Sequence, residues 1–231
     1  FLKGVLEGAK SADISEKMAY SVGMQIGQMI AVNWYESINH ELFGNDSTKT
    51  INKEDMLAGF FAGVTGKGRI MDPIIATTYT DDKMKSVKEA SLLERFGENK
   101  AAGEKFLEEN KAKEGVVTTE SGLQYKVITE GKGQVPTSTD RVKVHYKGTL
   151  IDGTEFDSSY SRKDKDGNPQ PSTFRANQVI KGWTEALTMM PIGSKWELYI
   201  PQELAYGSQD KGTIPPFSTL IFEVELLSIE K

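Results

Sequence analysis

The chain predicts an α+β fold in three consecutive parts: an all-α N-terminal module, a long connecting helix, and a C-terminal twisted antiparallel β-sheet wrapped on a short α-helix. Three observations carry this. In the first third, apolar residues recur at three- and four-residue spacing, with Met18, Val22, Ile26, Met29 and Ile30 on one stripe. From Asp81 to about Lys113 the chain is rich in Lys, Glu and Ala and has no proline. After Gly115 the pattern changes to apolar-polar alternation, as in Leu123 to Val127 and Val142 to Tyr146. The expected boundaries are 1–76 for the helical module, 77–114 for the connecting helix and 115–231 for the sheet domain.

The first helix has Asp13 or Ser15 available as an N-cap. Met18 to Tyr35 is free of charge and long enough to raise the question of a membrane span. Ser21, Gln25, Gln28 and Asn33 spread polarity through it, which favours a buried or dimer-forming helix instead. Three Gly-xxx-Gly pairs, Gly4/Gly8, Gly23/Gly27 and Gly59/Gly63, place glycines on single helix faces where a second backbone can approach. Glycine in a helix interior costs about 1 kcal/mol relative to alanine, so the pairs need compensation. Close packing within one subunit and interlocking of two subunits both supply it. The two glycines and apolar positions of residues 1–9 recur at residues 56–64, the mark of a duplicated helical unit.

Asp81 to Lys113 reads as one exposed helix, about 50 Å long at 1.5 Å per residue. Asp81 and Asp82 suit its positive end, Lys111 and Lys113 its negative end, and Gly115 closes it. Its apolar residues, Met84, Val87, Leu92, Phe96, Phe106 and Leu107, make too thin a stripe for burial in one small core, so it reads as a rigid arm joining two domains. Beyond it, Asp152-Gly153 between Leu150 and Phe156 signals a hairpin turn. Gln178 to Met190 reads as a short helix ended by Pro191 and Gly193, and Trp196 to Ile200 and Leu220 to Ile229 as strands.

Composition removes several function classes. The 231 residues carry a net charge of −5, and the pI of about 5.3 argues against nucleic acid as main partner. With no cysteine there is neither a disulfide nor thiol catalysis. His40 and His145 are the only histidines, and nothing has zinc-ligand spacing. His145 alternates away from the Tyr146 face and reads as structural. Asp164 to Asn168 is similar to a calcium loop, but its glycine is not at the sixth position and no glutamate sits at the twelfth, so it reads as a solvated turn. The chain opens on Phe1 with neither an initiator Met nor a basic-then-apolar leader, as a processed or trimmed chain would.

What remains is an apolar set with few polar groups: Val179, Ile180, Trp183, Tyr146, Phe156, Ile214 and Phe222, accompanied by Asp157 and the phenol of Tyr206. That is the composition of a ligand pocket. Aromatic residues on alternating strands are ordinarily core, and an aspartate beside Ser-Ser is ordinarily a turn former. The order of the motifs decides between these readings. Val144-His145-Tyr146, Asp152 to Ser159, Val179 to Trp183, Ala205-Tyr206-Gly207, Ile214-Pro215-Pro216 and Thr219 to Leu226 resemble, in order and spacing, the FKBP-type peptidyl-prolyl cis-trans isomerases. Upstream, Tyr20 to Gly27, Asn99 to Leu107 and Ser121 to Val127 are similar to the bacterial macrophage-infectivity-potentiator (Mip)-like branch.

The resemblance implies an isomerase acting on Xaa-Pro bonds of unfolded or exported polypeptides, with chaperone activity and with macrolide inhibitors as ligands. It also implies a homodimer paired through the N-terminal helices, and residence in a bacterial cell envelope, periplasmic or anchored at the outer membrane. By position, Asp157, Tyr206, Tyr146 and the Ile180 N–H would be catalytic. Trp183 would form the floor, Phe156, Val179 and Phe222 the walls, and Ile214 and Arg162 would complete the substrate site, Arg162 supporting Asp157. Three departures stand out: an insertion at 163–170, Ser172 where eukaryotic members carry an aromatic, and no histidine in the loop 208–213.

The chemistry suits these residue types. Amide rotation is opposed by ~18–20 kcal/mol of C–N double-bond character. The two X-Pro isomers lie within about 1 kcal/mol, so a catalyst needs neither nucleophile, metal nor cofactor; it must bind the twisted amide better than either planar form. A module that grips proline without turning it over is the competing class. Retention of both phenols and Asp157 speaks against it.

Overall fold

The computed structural model describes residues 16–230. The expected cap at Asp13 or Ser15, the Gly4/Gly8 pair and the first copy of the repeat lie outside those residues. The chain divides into two compact units between Leu93 and Glu94.

In the first unit, helix α1 (Glu16–Met29) passes through a π-type turn at Ile30–Trp34 into α2 (Tyr35–Phe43), which Gly44 ends at φ 63°. Helix α3 (Lys53–Thr65) begins where the Asn52 Oδ1 accepts from the Asp55 N–H at 2.8 Å, and ends at Gly66 in the left-handed region. Ile30 and Leu42 are buried, whereas Met18, Val22 and Met29 of the expected stripe are exposed in the single chain. No described helix is long and apolar enough to cross a membrane.

Helix α4 (Pro73–Asn110) is 38 residues long. It starts upstream of Asp81 because Asp72 caps it, accepting from the Ile74 N–H at 2.8 Å, and because Pro73 fits a first turn that needs no N–H donor. Its last turns belong to the second unit, where two side-chain amides lock them down. Asn110 Nδ2 donates to Gln124 Oε1 at 3.0 Å, and Gln124 Nε2 donates to the Leu107 carbonyl at 2.9 Å. The Phe106 ring lies 6.0 Å from that of Tyr199.

The second unit holds one antiparallel sheet of seven strands: β1 (Val116–Thr118), β2 (Gln124–Thr129), β3 (Arg141–Leu150), β4 (Glu155–Ser158), β5 (Ser172–Arg175), β6 (Lys195–Ile200) and β7 (Leu220–Glu230). Spatial order is β1-β2-β6-β7-β3-β4, with β5 also paired to β3. The expected turn forms at Asp152-Gly153, with Gly153 at φ 88° and Asp152 accepting from the Thr154 N–H. Alternate residues Val142, Val144 and Tyr146 of β3, with Leu220, Phe222, Val224 and Leu226 of β7, form the buried face.

Across that face lies α5 (Lys181–Leu187), shorter than the expected Gln178 to Met190. Its start is set by Ile180, an extended residue at φ −60° and ψ 152° whose carbonyl accepts the first helical bonds. Thr188 leaves helical geometry, and Pro191 cannot continue it. Gly182 allows the helix to sit close on the sheet, since a Cβ there would fall 2.5 Å from Ile200 Cγ2. Trp183, Ala186 and Leu187 are thereby buried.

Candidate functional site

The cavity opens between α5 and the ends of β3, β4 and β7, with a volume of about 420 Å³, within the ordinary range for small-ligand pockets. Trp183 forms its base. The indole is met edge-on by Phe222 at 5.2 Å, Tyr146 at 5.3 Å and Phe174 at 5.7 Å, with interplanar angles of 82° to 86°. Such T-shaped packing fixes ring orientation, since each positive ring edge points at a negative face. The Trp183 Nε1 is buried without an acceptor among the described residues, so the indole offers the cavity an apolar face and no donor.

Polar groups sit at the rim. The Tyr146 hydroxyl donates to Asp157 Oδ2 at 2.6 Å and accepts from the Arg162 guanidinium at 2.7 Å. Arg162 comes no closer than 3.9 Å to Asp157 itself, and its guanidinium lies 5.7 Å from the Tyr146 ring centre. Burial pushes the Tyr146 phenol above its ordinary pKa, and donation to Asp157 pushes it further. The Tyr206 phenol is raised by burial first and by the Asp157 charge second. Both phenols therefore keep their protons at neutral pH and remain donors.

The register explains the convergence. Tyr146 pairs with Val224 and Gly148 with Asp157, so the strand hydrogen bonds that align β3, β4 and β7 bring Tyr146, Asp157 and Phe222 to one end of the sheet. Ser159 holds the turn after β4 from behind: its Oγ accepts from the Tyr146 N–H at 2.9 Å and lies 3.1 Å from His145 Nδ1. His145 stacks on Tyr160 with ring centres 4.9 Å apart, on the face of β3 away from the cavity.

Two family models match the chain: the FKBP-type peptidyl-prolyl cis-trans isomerase model over residues 132–227, and the domain amino terminal to it over residues 15–127. The chain belongs to the FKBP-type peptidyl-prolyl cis-trans isomerases. It is 45% identical over 220 residues to the FKBP-type 22 kDa peptidyl-prolyl cis-trans isomerase of Escherichia coli K12, covering 94% of this chain and 96% of that protein. Against the outer membrane protein MIP of Legionella longbeachae it is 40% identical over 228 residues, covering 94% and 86%. The crystal structure of FkpA from Escherichia coli superposes with a TM-score of 0.57 at 36% identity, covering 94% of this chain and 97% of that one. The reaction is thus cis-trans isomerisation of Xaa-Pro bonds, and the substrates are proline-containing polypeptides.

Within this FKBP domain nine of the ten predicted site residues line the cavity: Tyr146, Phe156, Asp157, Val179, Ile180, Trp183, Tyr206, Ile214 and Phe222. Arg162 stands behind, reaching the site through the Tyr146 hydroxyl. Three lining residues escaped the sequence reading: Phe174, Gln178 and Thr213. Phe174 was findable. Ser172 lacks the aromatic ring that eukaryotic FKBPs carry, but Phe174 lies two residues on and so on the same face of β5. The pocket keeps an aromatic wall there.

The 163–170 insertion forms a turned-back loop in which Asp164 Oδ1 accepts from the N–H groups of Asp166 and Asn168. The backbone bond from Asn168, followed by that from Asp166, holds the Asp164 carboxyl below its ordinary pKa. This carboxylate closes a turn.

Proposed function

We propose that this isomerase takes the proline ring onto the Trp183 indole, between Phe156, Val179, Ile214 and Phe222, with its flanking carbonyls held at the rim. The observation that carries the assignment is a pair of free donors beside an apolar cavity. Among the described residues neither the Tyr206 hydroxyl nor the Ile180 N–H has an acceptor, and both residues line the site. Donors placed in advance cost no reorganisation when the amide twists and its charge redistributes. Asp157, fixed by Tyr146, supplies a negative charge at the rim where the rotating carbonyl carbon loses resonance. The guanidinium of Arg162 keeps the Tyr146 hydroxyl aimed at Asp157.

The chain acts as a homodimer through its N-terminal helices, with domains at 1–76, 77–114 and 115–231. Supporting this, Tyr20, Trp34 and Phe61 are 72%, 52% and 54% exposed in the single chain, an unusual outlay of large side chains for a surface without a partner. Two pockets in one dimer raise the effective concentration of a second proline segment of a bound client, and so favour chaperone activity on unfolded chains. Macrolide inhibitors of the family would occupy the same cavity. The name of the Legionella relative places that protein at the outer membrane, and we assign this chain to the cell envelope likewise.

The test is the cis/trans exchange rate of short Xaa-Pro peptides by NMR, for the wild type beside Asp157→Ala and Tyr206→Phe. Acceleration that falls in both variants, with folding unchanged, supports these roles. Undiminished acceleration in the variants overturns them.

A further inference from the structure

We infer that Asn99, on helix α4, is a positioning residue for the isomerase pocket: its carboxamide clamps the strained peptide segment that joins the Tyr206 and Ile214 sides of the rim. The inference rests on the pocket assignment above and concerns contacts within the second unit alone.

Asn99 Nδ2 donates to the Pro216 carbonyl at 2.7 Å and to Ser218 Oγ at 3.0 Å. Those two residues flank Phe217, which is buried and is the only described non-glycine residue at positive φ, 61°. A bulky side chain is held in that region only where its surroundings over-determine it. The surroundings here are few and identifiable. The Phe217 N–H donates to the Gly207 carbonyl at 2.8 Å, and Ser218 Oγ donates to the Pro215 carbonyl at 2.7 Å. Gly207 follows Tyr206 and Pro215 follows Ile214, so both bonds end one residue from a pocket-lining side chain.

One helical turn beyond Asn99, Gly103 shows how closely the helix is seated. A Cβ at that position would lie 2.4 Å from Thr219 Oγ1 and 3.1 Å from Thr219 Cβ. Asn99 and Gly103 share a helix face at four-residue spacing, and together they meet the chain from Pro216 to Thr219. Without the clamp Phe217 is free to relax toward ordinary backbone angles. The Gly207 carbonyl then loses its donor, and the Tyr206 hydroxyl loses its set distance from Trp183. The connecting helix is therefore part of the machinery that shapes the site, in addition to being a spacer.

Asn99→Asp tests this on the full chain, because it keeps the shape and removes both donated bonds. Gly103→Ala is the second variant. Alanine is the better helix former, so any loss there comes from the Thr219 contact and not from the helix. Glu98→Ala, exposed on the same turn, is the control. The measurements are peptide exchange per folded molecule, backbone 15N shifts, and hydrogen exchange of the Phe217 amide. The expected result for Asn99→Asp is a loss of about tenfold in kcat/KM, the worth of one charge-free hydrogen bond pair. It comes with faster exchange at Phe217 and shifted Gly207 and Ile214 signals, while Gln124, where the helix end docks, is unmoved. A merely structural contact predicts the reverse, with Gln124 disturbed alongside and turnover per folded molecule kept. Unchanged turnover in Asn99→Asp beside an impaired Tyr206→Phe overturns the inference. Unchanged turnover in both overturns the role of Tyr206 instead, and wild-type exchange at Phe217 would then still overturn the clamp.

Discussion

Gly148 on β3 is paired across the sheet with Phe222 on β7, and its missing side chain is the space that the Phe222 ring occupies. A Cβ on Gly148 would fall 2.6 Å from Phe222 Cε1 and 2.6 Å from Phe156 Cε2. The two rings meet there edge to face, with centres 5.4 Å apart. A glycine in a strand interior ordinarily marks a weakness, but here it is the condition for two pocket walls.

Gly148→Ala should therefore destabilise the domain by about 1–3 kcal/mol, the usual cost of overpacking a filled core. It should also lower turnover, because the rings that must move are cavity walls. Urea unfolding and peptide exchange measured on the same preparation check both. Unchanged turnover would mean that the walls adjust without loss of the site.

How much of this was legible before the structure depends on strand length. β2, β3, β6 and β7 run for six to eleven residues, enough for alternation to show, and the sequence reading placed all four. β1 and β5 run for three or four residues, too short for any period, and they were missed; the four residues of β4 were signalled only by the hairpin turn at Asp152-Gly153. The start of α4 was missed although Asp72-Pro73 is a cap followed by a first-turn proline, because the charge pattern from Asp81 onward drew the boundary. In the site, the residues carried by recognisable motifs converged as expected. Gln178 and Thr213 had no such signal; they are ordinary polar residues that only the loop geometry brings to the cavity. The target of Arg162 was equally illegible, since choosing between Asp157 and the Tyr146 hydroxyl takes distances.

That geometry orders the rim variants. Arg162 and Asp157 are about half exposed, at 49% and 54%, so their ion pair contributes little to stability. Arg162→Ala should cost less than about 1 kcal/mol in unfolding and lower turnover several-fold, since Tyr146 still reaches Asp157. Tyr146→Phe should lower turnover further, because it removes the group to which both partners are bonded. Steady exchange rates for the two variants, compared at equal folded fraction, decide it. A larger loss in Arg162→Ala would show the guanidinium acting directly on substrate.

Alkaline pH probes the same phenols. Tyr146 and Tyr206 both have folded-state pKa values above the ordinary 10.0, raised first by burial and then by Asp157, through a hydrogen bond and through its charge respectively. A phenol so raised binds its proton more tightly when folded, so its contribution to stability is fully present below pH 10 and is lost as pH rises through the folded value. Tyr199 adds to this, raised by burial and by its 2.8 Å bond to Glu197. Unfolding free energy should decline from pH 10 upward, and the decline should be shallower in Tyr146→Phe. Phenolate absorbance should show these tyrosines titrating above pH 10. Titration of Tyr146 and Tyr206 at pH 10 or below would exclude the buried, bonded state.

Truncation separates the arm from the site. A chain of residues 77–231 keeps Asn99, Leu107 and Asn110 and should retain its turnover of short peptides, while its effect on the refolding of proline-containing proteins weakens with loss of the N-terminal helices. A chain of residues 115–231 loses the Asn110 and Leu107 partners of Gln124, a residue 4% exposed, and also the Phe106 ring against Tyr199. Losing those two hydrogen bonds costs about 1–3 kcal/mol, at the usual 0.5–1.5 kcal/mol each, before any loss of apolar cover. It should therefore unfold at lower denaturant and turn over peptides more slowly at equal folded fraction, because Asn99 goes with the helix. Equal stability of the two fragments would show that the last turns of α4 rest on the sheet without supporting it. Equal turnover would place the whole of the isomerase machinery after Gly115.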